Sequence, residues 1–352
     1  MRVSALDLFC CPACKGRLEL KTAEQANSEV VQGEMACLRC QKRYSIVRRM
    51  PLLYVKDERW ESKAREAEGW VLYHQNLNLY ESSDMRIDTQ LPYFPEEPWL
   101  SVARDFDLAL NLANLSGQET VLDLGAGRGW AAKQFALKGC RVAAIDVVPD
   151  ERVGLGRAWD LMEAAGVLYD PAIGDNENLP FFSETFDLVF CAAVLHHTSD
   201  LPALLKSVYR VLKPGGRLIA INEPCTNVHE IEQQVLQRDA AAELEVGINE
   251  SRPNCVAYMK ALKSAGFRAI SISPPHAYNL NDRDLEAWAK ALEAIPLYGR
   301  AWRLRKLRSW MRYSWQTCQA QIYLPRPRSH REQLIQAIII HVSGGVIITA
   351  QK

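Results

Sequence analysis

This sequence predicts an α/β chain, in which a mostly parallel sheet is wound by helices and a small cysteine-rich module stands in front of it. Three observations predict it. The stretch Val121-Leu122-Asp123-Leu124-Gly125-Ala126-Gly127-Arg128-Gly129 runs a short apolar segment into glycines at alternate positions. Further short apolar runs follow at 140–146, 186–192 and 216–222, with helical stretches between them. Four cysteines stand as two Cys-x-x-Cys pairs, Cys11 with Cys14 and Cys37 with Cys40.

The glycine-rich stretch carries the most chemistry. A buried strand ends at Asp123 or Leu124, the glycines let the backbone turn and approach a ligand, and a helix starts near Trp130. This is a nucleotide site at the carboxyl end of a parallel strand. Dinucleotide fingerprints place their third glycine where this chain has Trp130. A carboxylate two residues before the first glycine also repels a pyrophosphate. A ligand with a cationic amino-acid end suits Asp123 better, and S-adenosylmethionine is such a ligand, with an ammonium, a sulfonium, a ribose and an adenine.

Residues 120–224 resemble the core of class I S-adenosylmethionine-dependent methyltransferases, a Rossmann-like fold whose last strand is antiparallel. Residues 121–130 resemble that family's first motif, and 140–146 its second strand, ending in the acid Asp146. Residues 174–181, Gly-Asp-Asn-Glu-Asn-Leu-Pro-Phe, resemble its adenine loop. Residues 186–197 resemble the fourth strand and the loop over the methyl group, and 211–224 a helix end, turn and fifth strand. The resemblance implies that the main chain of Gly125, Ala126, Gly127 and Gly129 wraps the amino-acid end, with Asp123 assisting. It implies that Asp146 holds the ribose hydroxyls, and that Asp175 and the Asn176 backbone read the adenine. The methyl group then points toward His196 and His197. A histidine there suits a general base near neutral pH, and Glu223 at the tip of the fifth strand is the other candidate.

The two cysteine pairs form knuckles that aim four thiolates at one structural zinc, with no open position left for catalysis. Cys10 precedes a knuckle as a buried neighbour. The module, with Tyr44 to Ile46 and Pro51 to Leu53 following, resembles the small zinc-ribbon activator proteins of tRNA and protein methyltransferases. Arg48-Arg49-Met50 stands where that family often has an acid-glycine pair.

At 352 residues the chain divides into several units. These are a zinc module at 1–57, a helical lid or linker at 58–118, the core at 119–275, a helical insertion at 276–340 and the last strand at 341–352. Trp60, Trp70, Tyr73, Leu77 and Tyr80 mark one face of a lid helix, and prolines at 92, 95 and 98 interrupt the next stretch. Helices are expected over 228–245 and 254–265, and strands over 267–273 and 344–352. Within the insertion, 299–315 carries six basic residues, no acid and interleaved aromatics. It suits an anionic membrane surface, RNA, or a solvated face over buried tryptophans. Lys plus Arg and Asp plus Glu balance at 42 each, which excludes a chain-wide polycation built for nucleic acid. The apolar stretch 334–350 is too short and interrupted to span a bilayer, and no secretory signal stands at the start, so a soluble, cytoplasmic chain, peripheral to the membrane at most, is expected. The expected reaction is methyl transfer to a small-molecule, sugar or lipid-linked acceptor. RNA is the alternative acceptor, and a non-catalytic cofactor-binding scaffold is a further reading.

Overall fold

The computed structural model describes residues 1–26, 29–77, 85–275, 277, 287 and 315–352. In the N-terminal module, β1 (Leu18–Ala26) and β2 (Glu29–Cys37) form an antiparallel hairpin, and β3 (Arg43–Val47) adds to β2. Along β3, Tyr44 and Ile46 are buried while Arg43, Ser45 and Val47 face out, the two-residue period of a half-buried strand. Val47 pairs with Met50 across a two-residue turn into β4 (Met50–Leu53). Both turn residues, Arg48 and Arg49, take left-handed φ values of 50° and 65°. This tight hairpin turn usually recruits glycine or asparagine, and here two arginines adopt it.

The lid segment holds α1 (Glu58–Asn76), α2 (Met85–Gln90) and α3 (Trp99–Ala113). The Asp57 side chain accepts from the Trp60 N–H and starts α1, and left-handed Asn114 ends α3. The core then alternates β5 (Thr120–Leu124), α4 (Trp130–Leu137), β6 (Arg141–Asp146), α5 (Ala158–Ala165), β7 (Asp170–Gly174), β8 (Phe186–Ala192), α6 (Leu201–Val211) and β9 (Leu212–Cys225). It closes with α7 (Glu232–Asp239), α8 (Ala241–Glu245), α9 (Cys255–Ala265), β10 (Arg268–Ser273), α10 (His330–His341) and β11 (Gly344–Gln351). The single helix expected over 228–245 is two helices broken at Ala240, whose ψ of 19° departs from helical geometry.

The sheet runs β1-β2-β3-β4-β7-β6-β5-β8-β9-β11-β10. β7, β6, β5, β8 and β9 are mutually parallel, and β11 lies antiparallel between β9 and β10, as the sequence predicts. Strand β5 is central and apolar on both faces, Val121, Leu122 and Leu124 being shielded by helices on either side. The carboxyl tips of β5, β6, β7 and β8 therefore open onto one edge, where a doubly wound sheet places its ligand.

The module continues the core sheet. Strand β4 pairs parallel with β7, Leu52 opposite Ile173 and Leu53 opposite Gly174. Arg2 grips Asp170 at the start of β7 through two hydrogen bonds of 2.8 and 2.6 Å. Phe9 packs on Phe181 with ring centroids 5.4 Å apart. The basic-aromatic stretch 299–315 lies outside the described residues except for Trp315, which is exposed. No helix among the described residues is long and apolar enough to cross a membrane.

Candidate active site

A cavity of about 560 Å³ lies at the tips of the parallel strands. Its floor is the glycine-rich loop, Gly125 to Arg128. Gly127 has φ +50°, and a side chain added there would meet nothing within 4 Å, so the space over the loop is open to a ligand. Gly129 plays another part. With φ +82° it is the residue before α4, and a Cβ there would lie 2.4 Å from the Tyr169 hydroxyl, so it turns the helix rather than lining the cavity.

The acids are distributed by role. Asp146, buried at the tip of β6, lines the cavity and orders it. Its Oδ2 accepts from Gly127 N–H at 2.7 Å and its Oδ1 from Val148 N–H at 2.8 Å. Burial raises its carboxyl above the usual range. Asp123 does not reach the wall of the cavity. Its Oδ2 accepts from Ala132 N–H at 2.8 Å and caps the first turn of α4, and burial pushes its carboxyl up to about 8. Asp123, expected to assist the ligand's amino-acid end directly or through water, instead anchors the helix that follows the loop.

The 174–179 segment splits in the same way. Asn176 lines the cavity, and its buried side-chain oxygen has no hydrogen-bond partner among the described residues. A buried acceptor left open is costly unless a ligand donates to it, and the exocyclic amine of an adenine is such a donor. Asp175 faces away from the cavity. It accepts from Glu177 N–H at 2.8 Å and pairs with Arg59 of α1 at 2.7 Å, so its expected contact with adenine is replaced by a clasp on the lid.

Beyond β8 the main chain strains. Ala193 lines the cavity with φ +56° and is pinned by its N–H to Ile221 O at 2.9 Å. Glu223 stands beneath this loop and is fully buried. Its carboxylate accepts from the N–H groups of Val194 at 2.8 Å and Leu195 at 2.9 Å, and faces His196 Nδ1 at 2.9 Å. Neither Glu223 nor His196 lines the cavity. Their expected role as proton acceptors is corrected to a scaffold for the loop, because every direction around the carboxylate is already occupied. His197 does line the cavity. Its Nδ1 lies 2.9 Å from the Asn249 carbonyl and 3.2 Å from a Glu250 carboxylate oxygen. The carbonyl only accepts, so Nδ1 carries the proton and Nε2 keeps the lone pair. Burial, with the neighbouring His196 charge, pushes the His197 pKa down to about 3.

Helix α1 supplies a wall of which the sequence revealed the aromatic part, Trp70, and not the charged one. Lys63, Glu66, Trp70 and His74 recur three and four residues apart and all line the cavity. Lys63 bridges Glu66 at 3.0 Å and Glu177 at 3.2 Å, while burial pushes Glu66 up to about 7. The Trp70 ring meets His197 edge-on at 5.0 Å. Ile87, Phe94 and Trp99 complete an apolar side. The only sequence signal for this wall was the aromatic spacing, because buried charges on a helix look like a solvated face until the partners are known.

The four knuckle cysteines converge in the module. Cys11 and Cys40 Sγ lie 3.6 Å apart and Cys14 and Cys37 Sγ 3.5 Å apart, with all four sulfurs within 4.8 Å of one another. A zinc tetrahedron with arms of about 2.3 Å needs sulfurs roughly 3.8 Å apart, so the donor set fits. Gly16 makes room for it, since a Cβ there would lie 3.0 Å from Cys37 Sγ and 3.2 Å from Cys14 Sγ. Cys10 is buried outside this group.

Residues 122–220 match the family described as a methyltransferase domain. The chain is 34% identical over 125 residues to malonyl-[acyl-carrier protein] O-methyltransferase of Erwinia billingiae, covering 36% of this chain and 47% of that protein. It is 28% identical over 180 residues to sterol 24-C-methyltransferase of Eremothecium gossypii, covering 51% and 48%. Among solved structures, Haemonchus contortus phosphoethanolamine N-methyltransferase 2 with S-adenosyl-L-methionine aligns at a TM-score of 0.48 and 15% identity, over 80% of this chain and 60% of that one. The chain spans 38 to 54% of the length of the first curated relatives it matches. The strand order, the glycine-rich loop at the tip of β5 and the family match together identify the core of this chain as a class I methyltransferase core.

Proposed function

We propose that this chain is an S-adenosylmethionine-dependent methyltransferase acting on a small organic acceptor held between the glycine-rich loop and α1. One observation carries the reading: Gly127, Asp146, Asn176 and His197 line a single cavity. The curated relatives named above, which act on an acyl-carrier-bound malonyl group and on a sterol, support a small organic acceptor, and within that class we propose a small molecule, a sugar or a lipid-linked intermediate. The apolar side formed by Ile87, Phe94 and Trp99 suits such a molecule.

When bound, S-adenosylmethionine supplies a methyl group on a sulfonium that departs as a neutral thioether. The residues of the chain do the positioning. The Gly125–Arg128 main chain receives the amino-acid end, Asp146 offers each carboxylate oxygen's remaining lone pair to a ribose hydroxyl, and Asn176 accepts from the adenine amine. His197, neutral throughout the physiological range, accepts a hydrogen bond from the acceptor's O–H or N–H at Nε2, orients its lone pair for in-line attack, and takes the proton released as the new bond to the methyl forms, passing it on to solvent. The α1 wall and Trp70 exclude water. Cys11, Cys14, Cys37 and Cys40 would hold a structural zinc, which four thiolates would leave without an open position for the reaction.

The test is a radiolabelled methyl-transfer assay with total RNA and a lipid-plus-metabolite extract offered separately. Label in the small-molecule fraction is the expected outcome. Ribonuclease-sensitive label would place the acceptor in RNA. Tight binding of S-adenosylhomocysteine with no label in either fraction would mark a cofactor-binding scaffold.

A further inference from the structure

The first cysteine knuckle reaches almost to the cavity, and the contact is a built one. Lys15 follows Cys14 with a left-handed φ of 59°, closing the knuckle through its N–H to Cys11 O at 2.7 Å. That backbone turn sends its side chain out of the module. The ammonium donates to the Asn178 side-chain oxygen at 2.6 Å and lies 3.2 to 3.4 Å from the carbonyls of Pro12, Leu179 and Asn178. Asn178 answers with its own side-chain N–H to Pro12 O at 3.1 Å. On the flank, Cys10 N–H donates to Pro180 O at 2.8 Å, and Phe182 N–H to Leu8 O at 3.2 Å. Asn178 ends the short turn Asn176–Asn178, whose other two residues both line the cavity. Lys15 and Asn178 thus link the metal knuckle to the turn that carries Asn176 and Glu177 to the cavity.

We propose that the knuckle braces the adenine-end loop, with Lys15 and Asn178 as positioning residues, so that occupancy of the four-thiolate site sets nucleoside recognition in the cavity. This rests on the methyltransferase reading above. The four sulfurs fix the Cys11–Cys14 turn, the turn fixes the direction of Lys15, and Lys15 fixes the segment that presents Asn176. Arg210 holds the same segment from the opposite side through Leu179 O at 2.8 Å and Phe181 O at 2.7 Å. Without the knuckle the loop keeps Arg210, the Leu179 N–H to Ser207 Oγ at 3.1 Å and the lid pairs Asp175–Arg59 and Glu177–Lys63, but it loses its hold at Asn178. The adenine contact then loses its register while the amino-acid end of the ligand is untouched.

The test is calorimetric binding of two ligands to the full chain, S-adenosylhomocysteine and its inosyl analogue, in which a carbonyl replaces the adenine amine. Wild type is expected to prefer the adenosyl ligand. Lys15→Met should keep its bound zinc and its thermal transition, bind the adenosyl ligand about tenfold more weakly, the net worth of one charged hydrogen bond, and lose most of the preference. Lys15→Arg, which keeps a donor, should restore part of it. Asn178→Ala removes the contact from the other side and should reproduce the loss, which covers the case in which Lys15→Met fails to fold. Chelation should act likewise and re-added zinc reverse it. Unchanged affinity in the variants or in the stripped chain overturns the brace, and so does an equal loss for both ligands, which would be general destabilisation. A wild-type chain that carries zinc yet binds neither ligand overturns the cofactor reading and the brace with it.

Discussion

His197 and Asp146 set the behaviour of the site at the scale of single residues. A histidine held at a pKa of about 3 does not change charge between pH 5 and 8, so the pH profile of kcat should show no inflection near 6.5, and a rate that rises through that value would remove His197 as the neutral acceptor. The same depression bears on stability. The unfolded chain takes up a proton near pH 6.5 and the folded chain resists it, so this contribution is complete above pH 6.5 and is lost as pH falls toward 3. Melting temperatures across that window should fall less steeply for His197→Gln than for wild type. Asp146→Ala should weaken S-adenosylhomocysteine binding by about 1–3 kcal/mol, and calorimetry showing no change would end its ribose assignment. Much at this scale was legible in the sequence. The alternate glycines, the acid at 146 and the paired cysteines are local patterns. The diversion of Asp123, Asp175 and Glu223 into capping, lid clasping and loop support was not, because it depends on Ala132, Arg59 and Val194, which no spacing rule links to them.

Among the elements, the lid is held to the core by a buried cation. The Lys133 side chain, fully buried on α4, donates to the carbonyls of Asp88, Thr89 and Leu91 at 3.1, 2.6 and 2.8 Å, at the carboxyl end of α2. Asp88 in turn pairs with Arg157 and with Arg128 of the glycine-rich loop. Within the short helix α2 only Asp88 is buried, and these charges hold it in place together with Ile87 and the following Leu91, which pack into the core. Lys133→Met takes this donor from the Asp88 and Thr89 carbonyls, while Leu91 O keeps Gln134 Nε2 at 2.9 Å, and should cost about 1–3 kcal/mol in urea unfolding. It should also speed hydrogen exchange in 85–91 more than in β5. Equal exchange in the two segments would mean that the lid is not independently tethered. The strands of the core could be read ahead, since short apolar runs between turn signals are a local feature, and the antiparallel placement of β11 followed from the family resemblance. The break at Ala240 could not. Ala241, Ala242 and Glu243 beyond it are good helix formers, and no glycine or proline signals a stop. Helix α8 is instead aimed by a distant partner, the Tyr73 hydroxyl of α1, which donates to Glu243 at 2.9 Å.

For the whole molecule, one sheet joins the metal module to the methyltransferase core through just two residue pairs, Leu52 with Ile173 and Leu53 with Gly174. A pairing between segments more than a hundred residues apart leaves no local trace, so the sequence pointed to two units where the backbone makes one continuous sheet. Stripping the metal should therefore lower the melting temperature of the core as well as that of the module. A separate, unshifted core transition in calorimetry would show the two to be energetically independent. The parallel pairing also bears on the order of assembly. During synthesis the cysteine module leaves the ribosome well before β7, and domains generally fold from the N-terminal side as they emerge. A module already closed around its ion would offer β4 as a ready template, and the first parallel strand of the core would add to an existing edge instead of finding its neighbours unaided.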